Sequence, residues 1–299
     1  MASLRFALFG NVYQQHKSAA IRVLLDCLRR HGSQIFIEQE YNDFLRQVFP
    51  DFSDSSDFTA FSDFADVEAD FAISVGGDGT FLKAASCVGW RDIPILGVNM
   101  GRLGFLADIG PDDIERTMEA LHHDDYAIES RAVIQVEADG QPLSEQCCAL
   151  NDVAILKRDT ASMISIETRV NGQLLTTYQA DGLVVSTPTG STAYSLSNGG
   201  PIIVPGTKVF SMTAVAPHSL NVRPIVIPDS AVIELDVESR SHSFLVAIDG
   251  RSEKCKEGTK ITLRRAPYSI KVVKRSDHRY FNTLREKMMW GADGRRTSS

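Results

Sequence analysis

No stretch of this 299-residue chain approaches the ~20 consecutive apolar residues that a membrane-spanning helix needs, so no membrane partner is expected. The apolar run at residues 4–9 is too short for the core of a secretory signal and reads as a first strand. Positive charge is in deficit. Lys and Arg number 31 against 38 Asp and Glu, a net charge of −7, and this argues against a nucleic-acid partner, which normally meets a basic face. Cysteine is sparse: Cys27, Cys87, Cys147, Cys148 and Cys255 are odd in number and lack C-x-x-C spacing. Neither a zinc site nor a disulfide framework is expected, and a reducing cytoplasm fits. Cys147 and Cys148 read as strand residues rather than a redox pair. The P-loop pattern G-x-x-x-x-G-K-[ST] is absent, and the dinucleotide fingerprint fails because Leu82 stands where the third glycine belongs. There is no internal repeat and no low-complexity linker.

What is present is globular composition, 43% hydrophobic and 23% charged, on a chain long enough for two domains. Its most informative stretch is Phe71-Ala72-Ile73-Ser74-Val75 followed by Gly76-Gly77-Asp78-Gly79-Thr80. The first five residues read as a buried strand. Phe81 onward has helix formers and apolar residues at helical spacing. Asp78 is therefore placed on a tight strand-to-helix turn. There, glycines let a ligand approach the backbone and the helix N-terminus favours an anion. A carboxylate beside a phosphate cradle repels what the cradle binds. It makes sense where a base must take the proton of a hydroxyl that attacks a phosphoryl group. An ordinary tight turn is the plainer account of one Gly-Asp-Gly, but it does not need three glycines.

Along the chain, Ile21, Leu24, Leu25 and Leu28 mark one helix face, with Gly32 placed to end it. Residues 34–38 form the next strand. Residues 51–70, with Asp51, Asp54, Asp57, Asp63, Asp66, Glu68 and Asp70 among phenylalanines, match no metal loop such as an EF-hand and read as a solvated, partly helical connection. Residues 93–98 are another buried strand, running into Asn99-Met-Gly101-Arg102-Leu-Gly104-Phe105. Pro111 with Asp112 and Asp113 opens a helix through about His122. Strands alternating with helices indicate a parallel, doubly wound sheet whose ligands sit at the carboxyl ends of the strands. From Tyr126 to about Lys274 the rhythm changes to short β-rich runs. Asn171-Gly172 is a hairpin signature there, and the pattern suggests an antiparallel sandwich. Residues 279–289 read as a last helix and 291–299 as a frayed end.

A second unusual stretch runs from Asp181-Gly182 through Thr187-Pro188-Thr189-Gly190-Ser191-Thr192-Ala193-Tyr194-Ser195-Leu196-Ser197 to Gly199-Gly200-Pro201. Small hydroxyl side chains can hydrogen-bond ribose or phosphate without filling a cleft, and Tyr194 can pack against a base. Asn151-Asp152, at the head of a strand, is a third candidate. Taken alone it is turn chemistry.

Gly-Gly-Asp-Gly-Thr, Asn151-Asp152, Ala180-Asp181-Gly182, Thr187 to Tyr194 and Pro217-His218-Ser219-Leu220 with Arg223-Pro224 occur in this order. Together they resemble the NAD kinase family over nearly the whole chain. The first motif is shared with diacylglycerol and sphingosine kinases and, in similar form, with phosphofructokinases; the Thr187 stretch is far more specific. The resemblance implies an α/β nucleotide-binding domain at residues 1–125, a β-sandwich NAD-binding domain at 126–276, and a C-terminal helix at 277–290 returning to the first. It implies ATP and NAD as substrates and a homodimer or homotetramer. Mg²⁺ is expected to neutralise the donor phosphates; the sequence shows no dedicated metal cage, so the ion is expected to be held mainly by substrate phosphates and water, with Asp78 as the nearest carboxylate. Asp78 resembles the general base for the 2′-hydroxyl of the adenosine ribose. Gly79 would admit that ribose, and Lys83 resembles a basic residue near the phosphates. Asn151 and Asp152 resemble the pair on the ribose and adenine side, and Asp181 the residue that orients the nicotinamide amide. Thr192, Ala193, Tyr194, Ser195, Leu196 and Ser197 match the adenosine pocket. The chain departs from the family pattern at Gln179, where a basic residue is frequent, at Ser162, where others carry His or Arg, and at Arg251, where others carry Gln. Two other readings share parts of the pattern: a lipid kinase, which calls for an apolar or basic membrane face, and a non-catalytic dinucleotide sensor, which would bind NAD(H) without ATP turnover.

Overall fold

The computed structural model describes residues 3–13, 18–49, 58–101, 104–159, 162–276 and 279–289. The chain divides into two compact units, Met1–Glu129 with Lys271–Ser299, and Ser130–Ile270. In the first, β1 (Arg5–Gly10), β2 (Gln34–Glu38), β3 (Phe58–Phe61), β4 (Phe71–Val75) and β5 (Ile95–Val98) lie parallel in the order β3-β2-β1-β4-β5. Residues of the chain's last strand add a further parallel partner, with Val272 opposite Ile95. β4 is buried along its whole length, as a parallel strand covered on both faces must be. On one face, α1 (Ser18–Arg30) and α2 (Gln39–Val48) place Leu24, Leu28, Tyr41 and Leu45 in one apolar cluster with Phe6, Leu8, Ile73 and Val75. The four residues expected to mark the face of α1 are all buried, and Gly32 has φ +66, as a helix-ending glycine requires.

α3 (Asp78–Val88) packs against β4, β1 and β5. Gly97 on β5 makes room for it, since a Cβ there would stand 3.0 Å from the Phe81 ring. α4 (Ile114–His122) lies against α1. From β1 the chain moves outward to β2 and β3, then returns to the other side of β1 for β4. The carboxyl ends of β1 and β4 are thus the switch point at which open α/β sheets bind ligands. The residues found there are Gly10-Asn11 and Gly76 to Thr80, joined by the Asn11 N–H on the Val75 carbonyl at 3.1 Å.

Two elements of this unit differ from expectation. α2 follows β2 without an intervening residue, so no turn signal announces it. Residues 58–70, expected as a solvated, partly helical connection, hold a 3₁₀ turn, Phe64–Asp66, but also the edge strand β3. Their phenylalanines are core: Phe61 and Phe64 pack on Phe9 with ring centroids 5.6 and 5.5 Å away. The aspartates act locally, Asp63 capping Ala65 at 2.8 Å and Asp70 binding Arg5 at 2.9 Å. Asp51, Asp54 and Asp57 lie outside the described residues.

The second unit is antiparallel β. Its strands are β6 (Tyr126–Ala138), which enters from the first unit, then β7 (Gln141–Pro142), β8 (Cys148–Ala149), β9 (Asp152–Lys157), β10 (Ile164–Val170), β11 (Gln173–Ala180) and β12 (Gly182–Ser186). After a short helix, α5 (Tyr194–Ser197), come β13 (Val209–Val215), β14 (Ile225–Pro228), β15 (Ile233–Ser239), β16 (Ser243–Ile248), β17 (Arg251–Lys256) and β18 (Ile261–Arg275), which leads back to the first unit. One sheet runs β14-β13-β12-β9-β16-β17. The other runs β11-β10-β15-β18 with β6 beside β18. Alternate residues of both sheets, among them Ile155, Leu183, Phe210 and Phe244 with Ile166, Leu235 and Val237, form one core. The turn at Asn171-Gly172 has φ +53 and +77, the left-handed pair that a two-residue hairpin needs. The chain's described part closes with α6 (Tyr280–Met288), whose Lys287 ammonium stands 5.8 Å over the Phe105 ring of the first unit.

The Lys274 ammonium on β18 is buried and ion-paired to Asp108, itself 7% exposed at its side chain. Asp108→Ala leaves that ammonium buried without its countercharge and is expected to cost about 3–5 kcal/mol. Adding Lys274→Met should recover much of the loss. Thermal melting of the single and double variants checks both statements.

Candidate active site

Asp78 is the first residue of α3, preceded by Gly77 in extended backbone. Its carboxylate is held by three consecutive backbone N–H groups. Phe105 donates to Oδ2 at 3.0 Å, and Leu106 and Ala107 both donate to Oδ1 at 3.1 Å. The loop that offers them follows β5 and is shaped by Asn99, which is buried, accepts from the Gly101 N–H at 2.6 Å and donates to the Ala107 carbonyl at 3.3 Å. The glycines of this region divide into two kinds. At Gly76 a Cβ would strike the Thr80 side chain, at Gly104 it would strike the Asp78 carboxylate, and at Gly97 it would stand 2.5 Å from Ala107 Cα. Packing explains these three. At Gly77 and Gly79 a Cβ would meet nothing within 4 Å, and neither has a positive φ. The fold does not require glycine at these two positions. Bare backbone at a helix N-terminus leaves room for an anionic group to approach the N–H groups.

Lys83 lies one turn further along α3. Its ammonium is shared by Glu38, at 2.7 Å, and Glu40, at 3.1 Å. Partial burial works against its charge, but the two carboxylates outweigh this and hold its pKa above the ordinary lysine value. Among the described residues no group of three His, Cys, Asp or Glu side chains is arranged to hold a metal ion.

In the second unit, Asn151 and Asp152 lie on a turn built as the Asp78 clasp is, with the roles reversed. The N–H of Leu150 donates to Asp249 Oδ2 at 2.8 Å. Those of Asn151 and Asp152 donate to Oδ1 at 2.8 and 3.1 Å. Asp249 and Gly250 have φ +46 and +83 and form the two-residue turn between β16 and β17. Sequence reasoning missed Asp249. The one available signal was Asp249-Gly250 between two β-rich runs, which marks a hairpin and gives no hint of what the carboxylate binds. Asp152 is buried, and burial, reinforced by the neighbouring Asp249 charge, pushes its pKa up to about 7 against the opposing pull of the Tyr194 N–H. Burial also raises Asp249, opposed by its three backbone donors and by Arg251.

The Thr187 to Ser197 stretch is stapled to the same turn. The Thr187 hydroxyl donates to the Leu150 carbonyl at 2.6 Å, and the Thr187 N–H to that of Asn151 at 2.9 Å. Gly190 lies so close to Asn151 that any Cβ would collide with its carbonyl. Of the residues expected to line an adenosine pocket, Tyr194 and Ser197 are exposed, and Thr192, Ala193 and Leu196 are half-buried. Ser195 is fully buried with its hydroxyl on Thr213 at 3.2 Å, so it braces the loop from beneath. Asp181 is ion-paired to Lys157 at 2.7 Å. The exposed Gln179 donates to Ser165 at 2.9 Å.

A carboxyl whose folded-state pKa lies near 7 instead of 3.8 favours the folded state while neutral. Its contribution is complete below about pH 4 and is lost as pH rises to about 7. Asp152→Asn should therefore gain on wild type in melting temperature between pH 5 and pH 8, a change on the order of a few kcal/mol. A constant difference between the two proteins across that range would refute it.

The chain matches the ATP-NAD kinase N-terminal domain over residues 9–126 and the ATP-NAD kinase C-terminal domain over residues 150–275. It is 57% identical to an NAD kinase of Bacteroides fragilis, covering 98% of this chain and 100% of that one. It is 43% identical to an NAD kinase of Porphyromonas gingivalis, covering 96% and 98%. Among solved structures it superposes on yeast NADH kinase complexed with NADH with a TM-score of 0.88 at 21% identity, covering 99% of this chain and 91% of that one. An NAD kinase from Archaeoglobus fulgidus in complex with ATP gives 0.73 at 24%, covering 96% and 99%. At these identities the two superpositions speak for the fold alone. The two domain matches and the full-length relatives establish that the chain belongs to the NAD kinase family, enzymes that phosphorylate NAD with ATP.

Proposed function

We propose that the chain transfers the γ-phosphoryl group of ATP to the 2′-hydroxyl of the adenosine ribose of NAD, giving NADP and ADP, with Asp78 as the general base. One observation carries the assignment of Asp78: its carboxylate is fixed by three backbone N–H groups beside two glycines that the packing does not require. A carboxylate offers about four lone-pair sites. Three are taken, one on Oδ2 and two on Oδ1, which leaves one on Oδ2 for a hydroxyl. Asp78 accepts the proton of the ribose 2′-hydroxyl, the freed oxygen forms its bond to the γ-phosphorus, and the bond from that phosphorus to the β,γ-bridging oxygen breaks with its electron pair leaving on ADP.

Gly77 and Gly79 give the reacting groups access to the backbone at the α3 N-terminus. Lys83 offers its ammonium to the phosphates by exchange with Glu38 and Glu40. In the second unit, Asn151 and Asp152 receive the ribose and adenine side, Tyr194 stacks on the base with Thr192, Ala193, Leu196 and Ser197 around it, and Asp181 orients the nicotinamide amide. Mg²⁺ brought with ATP would be held mainly by the substrate phosphates and water, with Asp78 as the nearest carboxylate. When bound, the ion neutralises donor-phosphate charge. Five cysteines outside any disulfide support a cytoplasmic location. The exposed apolar side chains of Met163, Leu174 and Leu175 support self-association.

Purified protein incubated with NAD, ATP and Mg²⁺ should form NADP, read by an NADP-specific dehydrogenase. Asp78→Asn should lower kcat by roughly 10²–10⁴-fold in a folded protein. Near-full activity in that variant would remove Asp78 from the role of base. Gly97→Ala tests the clasp without touching the carboxylate. Its Cβ displaces the Ala107 backbone that donates to Asp78. An activity loss of about tenfold or more is expected, because small misplacements at a reacting centre are costly.

A further inference from the structure

The Leu150–Asn151–Asp152 turn has its backbone fully partnered, from two directions. Its three N–H groups go to the Asp249 carboxylate. Its three carbonyls go to the Thr187 hydroxyl, the Thr187 N–H and the Asp249 N–H, at 2.6, 2.9 and 3.0 Å. Three successive N–H groups converging on one point make a concave anion site. In this chain the anion is built in, supplied from a hairpin about a hundred residues away in sequence. We propose that Asp249 is the positioning residue of the dinucleotide site: it fixes the turn so that the Asn151 and Asp152 side chains stand ready for the ribose before NAD arrives. This rests on the reading that NAD is the ligand of that turn.

A plainer account is that Asp249 serves only its own hairpin. The turn itself argues against that. Asn-Gly suits a two-residue turn with both φ positive at least as well as Asp-Gly, so the hairpin asks nothing of a carboxylate. What asparagine lacks is a second acceptor oxygen. In Asp249→Asn the amide nitrogen faces the Leu150 N–H, donor against donor, while the turn keeps its favoured residues. The groups facing Asp152 are the Asp249 carboxylate and the Tyr194 N–H. Those facing Asp249 are Arg251 and the three turn N–H groups. Removing the Asp249 charge therefore lets Asp152 ionise at lower pH.

The test is calorimetric titration of NAD into wild type and Asp249→Asn between pH 6 and pH 8.5, with kcat and both KM values measured on the same proteins. The Asn variant should melt cooperatively and bind NAD about tenfold more weakly or worse, with the KM for ATP within about twofold of wild type. The pH at which NAD affinity changes should move downward. A merely structural residue would weaken both substrates alike and leave the pH profile in place, and that outcome overturns the proposal. So does NAD affinity within about twofold of wild type. Asp249→Gly, which also suits the positive φ, repeats the test if the Asn variant misfolds. If neither folds, amide exchange at residues 150–152 of wild type decides: strong protection before NAD is added supports a pre-set turn, and protection gained only with NAD refutes it. Wild type that binds no NAD would sink the dinucleotide reading itself, whereas wild type that binds NAD beside an unaffected Asn variant sinks only the role of Asp249.

Discussion

A carboxylate gripped by three consecutive backbone N–H groups is the interaction on which both candidate sites depend. Among the described residues it occurs once in each unit and with the same pattern. The first donor binds one oxygen and the next two share the other, at residues 105–107 for Asp78 and at residues 150–152 for Asp249. The grip is strong for a physical reason. Hydrogen bonds to a charged acceptor are worth roughly 1.5–3 kcal/mol each, and removing a carboxylate from water costs several kcal/mol. Three such bonds bring the two quantities to the same order, so the backbone can hold the charge in place; at Asp249 the Arg251 charge adds to it. A cation holding Asp78 would be drawn away by incoming phosphates. Backbone donors carry only partial charge and are drawn far less.

The same device serves opposite ends in the two units. In the first, the loop holds the carboxylate, which is the proposed base. In the second, the carboxylate holds the loop, whose own side chains, Asn151 and Asp152, are the proposed ligands. The glycines follow this logic. Gly104 is required because a side chain would collide with Asp78, and Gly190 because one would collide with the turn that Asp249 holds. Both are glycines of close approach, distinct from those whose positive φ ends a helix or makes a hairpin, such as Gly32 and Gly172.

Much of this was legible in the sequence. The Phe71 to Val75 strand ending in Gly-Gly-Asp-Gly-Thr gave the position of Asp78, because a buried strand, a glycine turn and a helix start are all local signals. The Asn171-Gly172 hairpin and the α1 face were legible for the same reason. α2 was not, since no turn residue separates it from β2. Nor was β3, whose phenylalanines are spaced among aspartates and whose strand partner, β2, lies before α2 in the chain. Asp249 was invisible because its meaning lies in contacts across about a hundred residues of chain, while its local signature is that of any Asp-Gly turn. The partners of Lys83 were invisible too: Glu38 and Glu40 flank the β2–α2 junction and meet α3 only once the sheet has formed.

The Lys83 arrangement shows how electrostatics is divided in the first unit. A free ammonium one turn from Asp78 would draw that carboxylate out of its backbone clasp. Held between Glu38 and Glu40 at 2.7 and 3.1 Å, its charge is satisfied at the β2–α2 corner. A polyphosphate carries more negative charge than either carboxylate and presents it at the α3 N-terminus, where the helix already favours an anion. In the proposed transfer, arrival of the donor would draw Lys83 from the two glutamates to a phosphate and leave Asp78 in the grip of residues 105–107, oriented towards the hydroxyl.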